Sequence, residues 1–228
     1  MKKLVLLLSV LLLSTLHAHE AFSIDLNLGG KINKPVKNLR EIKTQHVVRQ
    51  TMDYSCGPAA MATLLSFYFN DTITEEEVIK SLLLTTDLKK VKAKKGFSLL
   101  DLKNFAKLKG YEVTGYRMDL EYLLALDTPV LIPISIKDYS HFVIFRGMLG
   151  DRVFIADPAL GKMTMKIERF MRLWEGGIGL VVTKSDAKEF NPPLRLTEEE
   201  KAVFADPALV RQVFGINMIG NVYGDGEF

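Results

Sequence analysis

The sequence contains a single cysteine in 228 residues. One thiol closes no internal disulfide, and it excludes a zinc site built on cysteine ligands. An excess of either charge sign is also lacking, with 30 Lys+Arg against 27 Asp+Glu. The formal net charge is +3, and two of the positive charges, Lys2 and Lys3, lie in a segment expected to be removed. No nucleic-acid partner is implied by that balance. The apolar run Leu4–Leu16 is shorter than the roughly 20 residues of a membrane-crossing helix. A phosphate loop is missing too: Gly161-Lys162-Met163 lacks both the upstream glycine and the following Ser/Thr. The lysines of Asp87–Gly96 have no aromatics between them, so there is no stacking platform for a single strand. A solvated loop is the reading of that stretch, with a patch for anionic lipid or an acidic partner as the alternative. No internal repeat is evident.

What is present begins with Met1-Lys2-Lys3 and Leu4–Leu16, two positive charges before a short apolar run. That is the form of a secretory signal over residues 1–18, cut after Ala18, and it predicts a periplasmic or secreted protein. An uncleaved anchor is the alternative. Residues 19–44 read as an extended N-terminal arm, with Gly29-Gly30 and Asn33-Lys34-Pro35 as turn signals. Residues 45–184 read as one domain. Residues 185–228 read as a helical appendage: Asn191-Pro192-Pro193 breaks the chain, and Thr197-Glu198-Glu199-Glu200 starts a helix to about Phe214. This tail is expected to pack on the domain or to dock an envelope or surface-assembly partner.

Within the domain, Ala59–Phe69 is apolar or small at almost every position, which predicts a helix buried on all sides. Thr74 and Glu77 form a capping box for a helix over 75–84, and Ser98 caps another to Lys109, stopped by Gly110. Tyr111–Arg117 alternates like a strand, and Asp119 starts a short helix to Leu126. Strands then follow at Pro129–Lys137, His141–Leu149, Arg152–Asp157, Lys162–Ile167 and Ile178–Lys184, with a short helix over Glu168–Trp174. Helices first and a run of strands after is α+β, with the helices packed on an antiparallel sheet.

The cysteine sits at a boundary. Gln50-Thr-Met-Asp-Tyr-Ser-Cys56-Gly-Pro58 passes from polar loop to apolar helix. Asp53 and Ser55 are capping residue types, and Pro58 suits a first turn. A cysteine at a helix N-terminus feels the positive end of the dipole, which favours the thiolate nucleophile. A buried, inert thiol is the plain alternative. Gln50 lies within reach of the same helix end, where its amide and the Cys56 N–H would hold a developing oxyanion.

A base is needed, and His141 starts a strand, whereas His46 ends the polar lead-in and is the weaker candidate. Asp157 ends the next strand. If Met148-Leu149-Gly150 forms a three-residue loop, Gly147 pairs with Asp151 and His141 lies nearly opposite Asp157 on one face. A two-residue Gly150-Asp151 turn would put them on opposite faces. The expected chemistry is a Cys56–His141 proton-sharing pair, with Asp157 orienting the imidazole and Gln50 receiving the oxyanion. Neither a metal nor a cofactor is required.

Gln50–Leu65, Gly96–Ala106, His141-Phe-Val-Ile144 and Ala156-Asp157-Pro158 together resemble the C39 peptidases, the bacteriocin-processing, double-glycine-leader branch of the papain-like cysteine peptidases. The resemblance covers about residues 45–184. It implies a papain-like fold, a Cys56–His141–Asp157 triad with Gln50 at the oxyanion, and a peptide or protein substrate with a Gly-Gly-type cleavage site. A signal segment and a tail, in place of a fused exporter, mark a stand-alone exported member. Two other readings stay open: a non-cleaving recognition or assembly factor on the same fold, and an amidase or transpeptidase acting on cell-wall peptide.

Overall fold

The computed structural model describes residues 38–137, 139–184 and 192–205. The expected signal segment, the expected arm up to residue 37 and the tail beyond 205 lie outside them, and so does the expected helix end near Phe214. The chain divides into two units, Met1–Ile42 and Lys43–Phe228. Of the first, only the start of helix α1 (Leu39–Thr44) is described. There the expected extended arm is helical instead. Asn38 Oδ1 accepts from the Glu41 N–H at 2.8 Å and the Glu41 carboxylate accepts from the Asn38 amide at 2.7 Å, a reciprocal cap hidden among turn-forming residues.

The second unit starts its helical layer with α2 (Cys56–Tyr68), buried from Cys56 through Leu65. Helix α3 (Glu75–Leu83) and α5 (Leu99–Leu108) both open on full capping boxes, Thr74 with Glu77 and Ser98 with Asp101. Between them Asp87–Gly96 is not a loop. Asp87 accepts from the Lys89 N–H at 2.8 Å and starts α4 (Leu88–Lys94), which ends on Lys95 in the left-handed region. Its lysines stay in solvent while Val91 packs on the core. The lysine run concealed good helix formers behind a capping aspartate.

The remaining elements are β1 (Glu112–Arg117), α6 (Leu120–Ala125), β2 (Val130–Ile136), β3 (Tyr139–Leu149), β4 (Arg152–Asp157), β5 (Gly161–Lys166), α7 (Ile167–Leu173), a 3₁₀ turn Glu175–Gly177, β6 (Ile178–Thr183) and α8 (Glu198–Ala205). The strands form one six-stranded sheet in the order β1-β6-β2-β3-β4-β5. Every pairing is antiparallel. The fold is α+β with the helices packed on an antiparallel sheet, as the sequence pattern implies, and it agrees with the papain-like fold that the resemblance implies. Strand alternation divides the core between the two faces. Leu131, Ile144 and Leu180 pack with Leu64, Leu102 and Phe105 of the helices. Ile132, Val143 and Ile155 pack with Leu123 of α6 and Phe170 of α7. The near-continuous apolar run of β2 follows from burial on both sides.

The β3–β4 hairpin corrects one expectation. Leu149 pairs with Arg152 across a two-residue Gly150-Asp151 turn, not a three-residue loop. That turn alone would send His141 and Asp157 to opposite faces. A β-bulge between Phe145 and Gly147 inserts Arg146 and shifts the register back by one, so that Ile144 pairs with Ala156. Counting on, Asp157 comes opposite Val143, on the side that His141 shares.

Candidate active site

Cys56 is the first residue of α2 and is 2 % exposed. Ser55 occupies the N-cap position but makes no side-chain cap. Its hydroxyl turns back into the loop, donating to the Met52 carbonyl at 2.7 Å and accepting from the Met52 N–H at 3.3 Å. The helix therefore presents its first turn to the site without a capping side-chain oxygen, and its positive end favours an anion at Sγ.

Four groups converge on the sulfur and its partner. The His141 imidazole and the Phe142 backbone N–H sit beside Cys56, and both hold its thiol down. The Tyr139 hydroxyl lies 3.4 Å from Sγ. His141 Nε2 lies 2.9 Å from Asp157 Oδ1, with the two side chains 7 % and 0 % exposed. Asp157 holds one ring nitrogen, so Nδ1 is the one left for the thiol. Asp157 Oδ1 also accepts from the Ala159 and Leu160 N–H groups at 2.6 and 3.2 Å. The Asp-Pro turn and the pairing with histidine are thus both present, and the turn fixes the carboxylate.

The electrostatics follow. Burial pushes the Cys56 thiol up, but hydrogen bonds from His141 and then Tyr139 outweigh it and leave the thiol below its ordinary value. Burial pushes His141 down, but its bonds to Asp157 and Cys56 raise it to about 9. Burial first, then the neighbouring Cys56, pushes Tyr139 up, so its hydroxyl keeps its proton and acts as a donor. Opposite shifts on Cys56 and His141 move the pair toward thiolate and imidazolium. Such a pair attacks carbonyl carbon and then protonates a leaving group.

The structure brings Cys56, His141 and Asp157 together. Gln50 is close by but engaged elsewhere. Its N–H donates to the Pro158 carbonyl at 3.0 Å, tying the loop to the Asp157 turn. Its side-chain Nε2 donates to the Met52 carbonyl at 3.4 Å, and its Oε1 is buried without a partner among the described residues. His46 is not brought in: its ring packs 5.5 Å from Phe67, about 16 Å along α2 from Cys56.

Three contributors escaped sequence reasoning. Tyr139 stands two residues before His141, and the strand period of two was the signal that both side chains share a side. The Phe142 N–H carried no signal. Nor did Glu75, one of three successive glutamates at the start of a helix. It is buried and accepts from the Thr51 N–H at 3.0 and 3.1 Å and from the Thr51 hydroxyl at 2.6 Å, anchoring the loop that carries Gln50. Among the described residues no cluster of three His, Cys, Asp or Glu side chains suits a metal, and no helix is long and apolar enough to cross a membrane. A cavity of about 260 Å³ in this unit is lined by residues that include Phe145, Arg146, Arg195 and Lys201 and excludes Cys56 and His141.

The Peptidase C39 family model matches residues 44–187, well over half of the chain. The chain belongs to the peptidase C39 family. It is similar to the probable functional amyloid protease FapD of Pseudomonas fluorescens, 34 % identical over 76 % of this chain and 77 % of the relative. The Pseudomonas aeruginosa protein of the same name is 34 % identical over 68 % of each chain. Among solved structures, the peptidase domain of Streptococcus ComA superposes with a TM-score of 0.52 at 21 % identity, covering 61 % of this chain and 98 % of that one. A double-glycine motif protease from an AMS/PCAT transporter, solved with its leader peptide, gives 0.52 at 27 % identity, over 61 % and 91 %. C39 membership makes the chain a cysteine peptidase by family, with the single cysteine at the helix start.

Proposed function

We propose that this C39 chain is an exported endopeptidase in which Cys56, His141 and Asp157 form the catalytic triad. The observation that carries the reading is the His141–Asp157 pair at 2.9 Å, with Asp157 fully buried, beside a cysteine at the N-terminus of a buried helix. Cys56 Sγ attacks the scissile carbonyl carbon, forming a C–S bond and an oxyanion. The Cys56 N–H and the Gln50 amide receive that oxyanion, once Gln50 Nε2 exchanges its long bond to Met52 for the substrate oxygen. Collapse breaks the C–N bond, and the imidazolium gives its proton to the leaving amine. Water, deprotonated by His141, then attacks the thioester and regenerates the thiol. Asp157 keeps the ring oriented and its charge compensated throughout.

Two supports bear on the substrate. The Pseudomonas relatives are named as functional amyloid proteases, and the transporter-derived relative was solved with a double-glycine leader peptide. We therefore assign this chain a peptide or protein substrate cut after a Gly-Gly-type sequence and belonging to a functional amyloid system of the cell envelope. The signal-like N-terminus supports action in the periplasm or outside. The test compares new protein N-termini in envelope fractions from cells carrying wild type or Cys56→Ala. Termini that vanish with the variant support the reading, and identical sets in both overturn it. A second reading, a non-cleaving recognition factor, is favoured by the Gln50 amide being turned to Met52. It requires Cys56→Ala to retain the full biological activity of the wild type.

A further inference from the structure

We infer that Arg146 and Glu200 are positioning residues for the peptidase site, and that the tail segment 192–205 is the clasp that keeps His141 and Asp157 on one side of the sheet. The inference rests on the triad reading above. The two-residue turn sets β3 against β4 in a register that, continued without interruption, would pair Ile144 with Asp157. Asp157 would then face away from His141. The bulge at Arg146 is what prevents this: Gly147 pairs with Phe154 and Phe145 with Ile155, leaving Arg146 out of the ladder.

A bulge leaves one residue out of the ladder, free to be gripped from outside the hairpin. Here the grip comes from the tail. The Arg146 side chain is 1 % exposed. Its Nε donates to the Leu194 carbonyl at 2.7 Å and its Nη2 to the Arg195 carbonyl at 2.9 Å. Its Nη1 and Nη2 grip the two Glu200 oxygens at 2.8 and 2.7 Å, a bidentate fork. Leu194 is buried in the helical-face core, and Leu196 lies against Gly147, which takes a φ of 143° inside the bulge. Glu200 does double duty, since it also caps α8 by accepting from the Thr197 N–H at 3.0 Å. All the residues that hold Arg146 lie beyond residue 187, where the family match ends. The tail is therefore part of the working peptidase in this chain.

The test uses the chain without its signal segment and three variants: Arg146→Lys, Glu200→Gln and Asp157→Asn. Arg146→Lys keeps the charge and loses the fork. Glu200→Gln keeps the size and a cap oxygen, and decides the matter if the lysine variant does not fold. The readouts are the pH profile of Cys56 alkylation by iodoacetamide, the turnover of a cleavable peptide and the melting temperature. The groups that set the profile are His141 and Tyr139 of β3, with Asp157 of β4 acting through His141 and Tyr54 and Asp53 of the loop before α2 acting through Tyr139; Arg146 itself faces Glu200 and Lys162. If the clasp positions the pair, both clasp variants move the alkylation midpoint upward, as Asp157→Asn does, and turnover falls about tenfold to a hundredfold at temperatures where the protein is folded. A merely structural clasp would lower the melting temperature and leave the midpoint and turnover of the folded enzyme unchanged, which overturns the inference. If Asp157→Asn itself leaves the profile unmoved, the triad reading fails and this inference fails with it.

Discussion

Replacing Asp157 by asparagine removes a charge 2.9 Å from His141 Nε2, between side chains 7 % and 0 % exposed. His141 stands at about 9 against an ordinary value of 6.5. Burial works against that rise, so the whole of it, and more, comes from partners, with Asp157 the larger and Cys56 the smaller. Each pH unit is worth about 1.36 kcal/mol, so the net preference for imidazolium is roughly 3 kcal/mol. The amide of Asp157→Asn still accepts one hydrogen bond, so the part lost is the charge. His141 should then titrate at least about one unit lower. The Cys56 thiol loses part of its cationic partner and titrates higher, and alkylation below its midpoint slows about tenfold per unit. The stability sign follows from linkage. A histidine raised on folding contributes stability that is fully present below about 6.5 and is lost as pH rises through about 9. Cys56, held low, contributes with the opposite sense: present above the value of the unfolded thiol, lost as pH falls through the folded one. The assay is an imidazole NMR titration of wild type and Asp157→Asn, with thermal melts across the same pH range. A His141 midpoint that stays within about half a unit of wild type would refute the reasoning.

Four further outcomes are expected. Gln50→Ala should lower kcat about a hundredfold with little change in KM, measured on a cleavable peptide, because in the proposed mechanism its amide meets the substrate only as the oxyanion forms. Tyr139→Phe removes the hydroxyl 3.4 Å from Sγ and should move the alkylation profile of Cys56 upward while the melting temperature stays close to wild type. Gly161→Ala should destabilise by about 1–3 kcal/mol in denaturant unfolding: the glycine has a φ of 85°, and an added methyl would meet the Lys43 carbonyl at 2.5 Å. Glu75→Ala strips the acceptor from the Thr51 N–H and hydroxyl and should cost about 1–3 kcal/mol, with faster proteolysis of the loop before Cys56.

The order of elements was legible in the sequence because strand alternation and capping residues are local signals. Thr74 with Glu77 and Ser98 with Asp101 announced their helices, and β2 through β4 read directly from apolar runs. The lysine-rich α4 was hidden because a solvated short helix has no apolar period, leaving only the Asp87 cap to mark it. The site was legible as a set, since a helix-start cysteine, a strand-start histidine and a strand-end aspartate each sit at a boundary. Its geometry was not. The hairpin register depends on a bulge at Arg146, and that bulge depends on Leu194, Arg195 and Glu200, about fifty residues downstream by chain separation. The one local signal in β3 is Gly147, a glycine inside a strand run, and it does not by itself fix the register. The buried role of Glu75 is likewise non-local, set by Thr51 folding onto it.

The most direct measurement of the central claim is peptide cleavage by purified wild type and Cys56→Ala, read by mass spectrometry over a set of Gly-Gly-containing and control peptides. A working thiol at the head of α2 predicts defined new termini with wild type, a transient mass increase on Cys56 matching the acyl fragment, and neither with the variant. Equal cleavage by Cys56→Ala, or cleavage by wild type with an acyl group captured elsewhere, would contradict it.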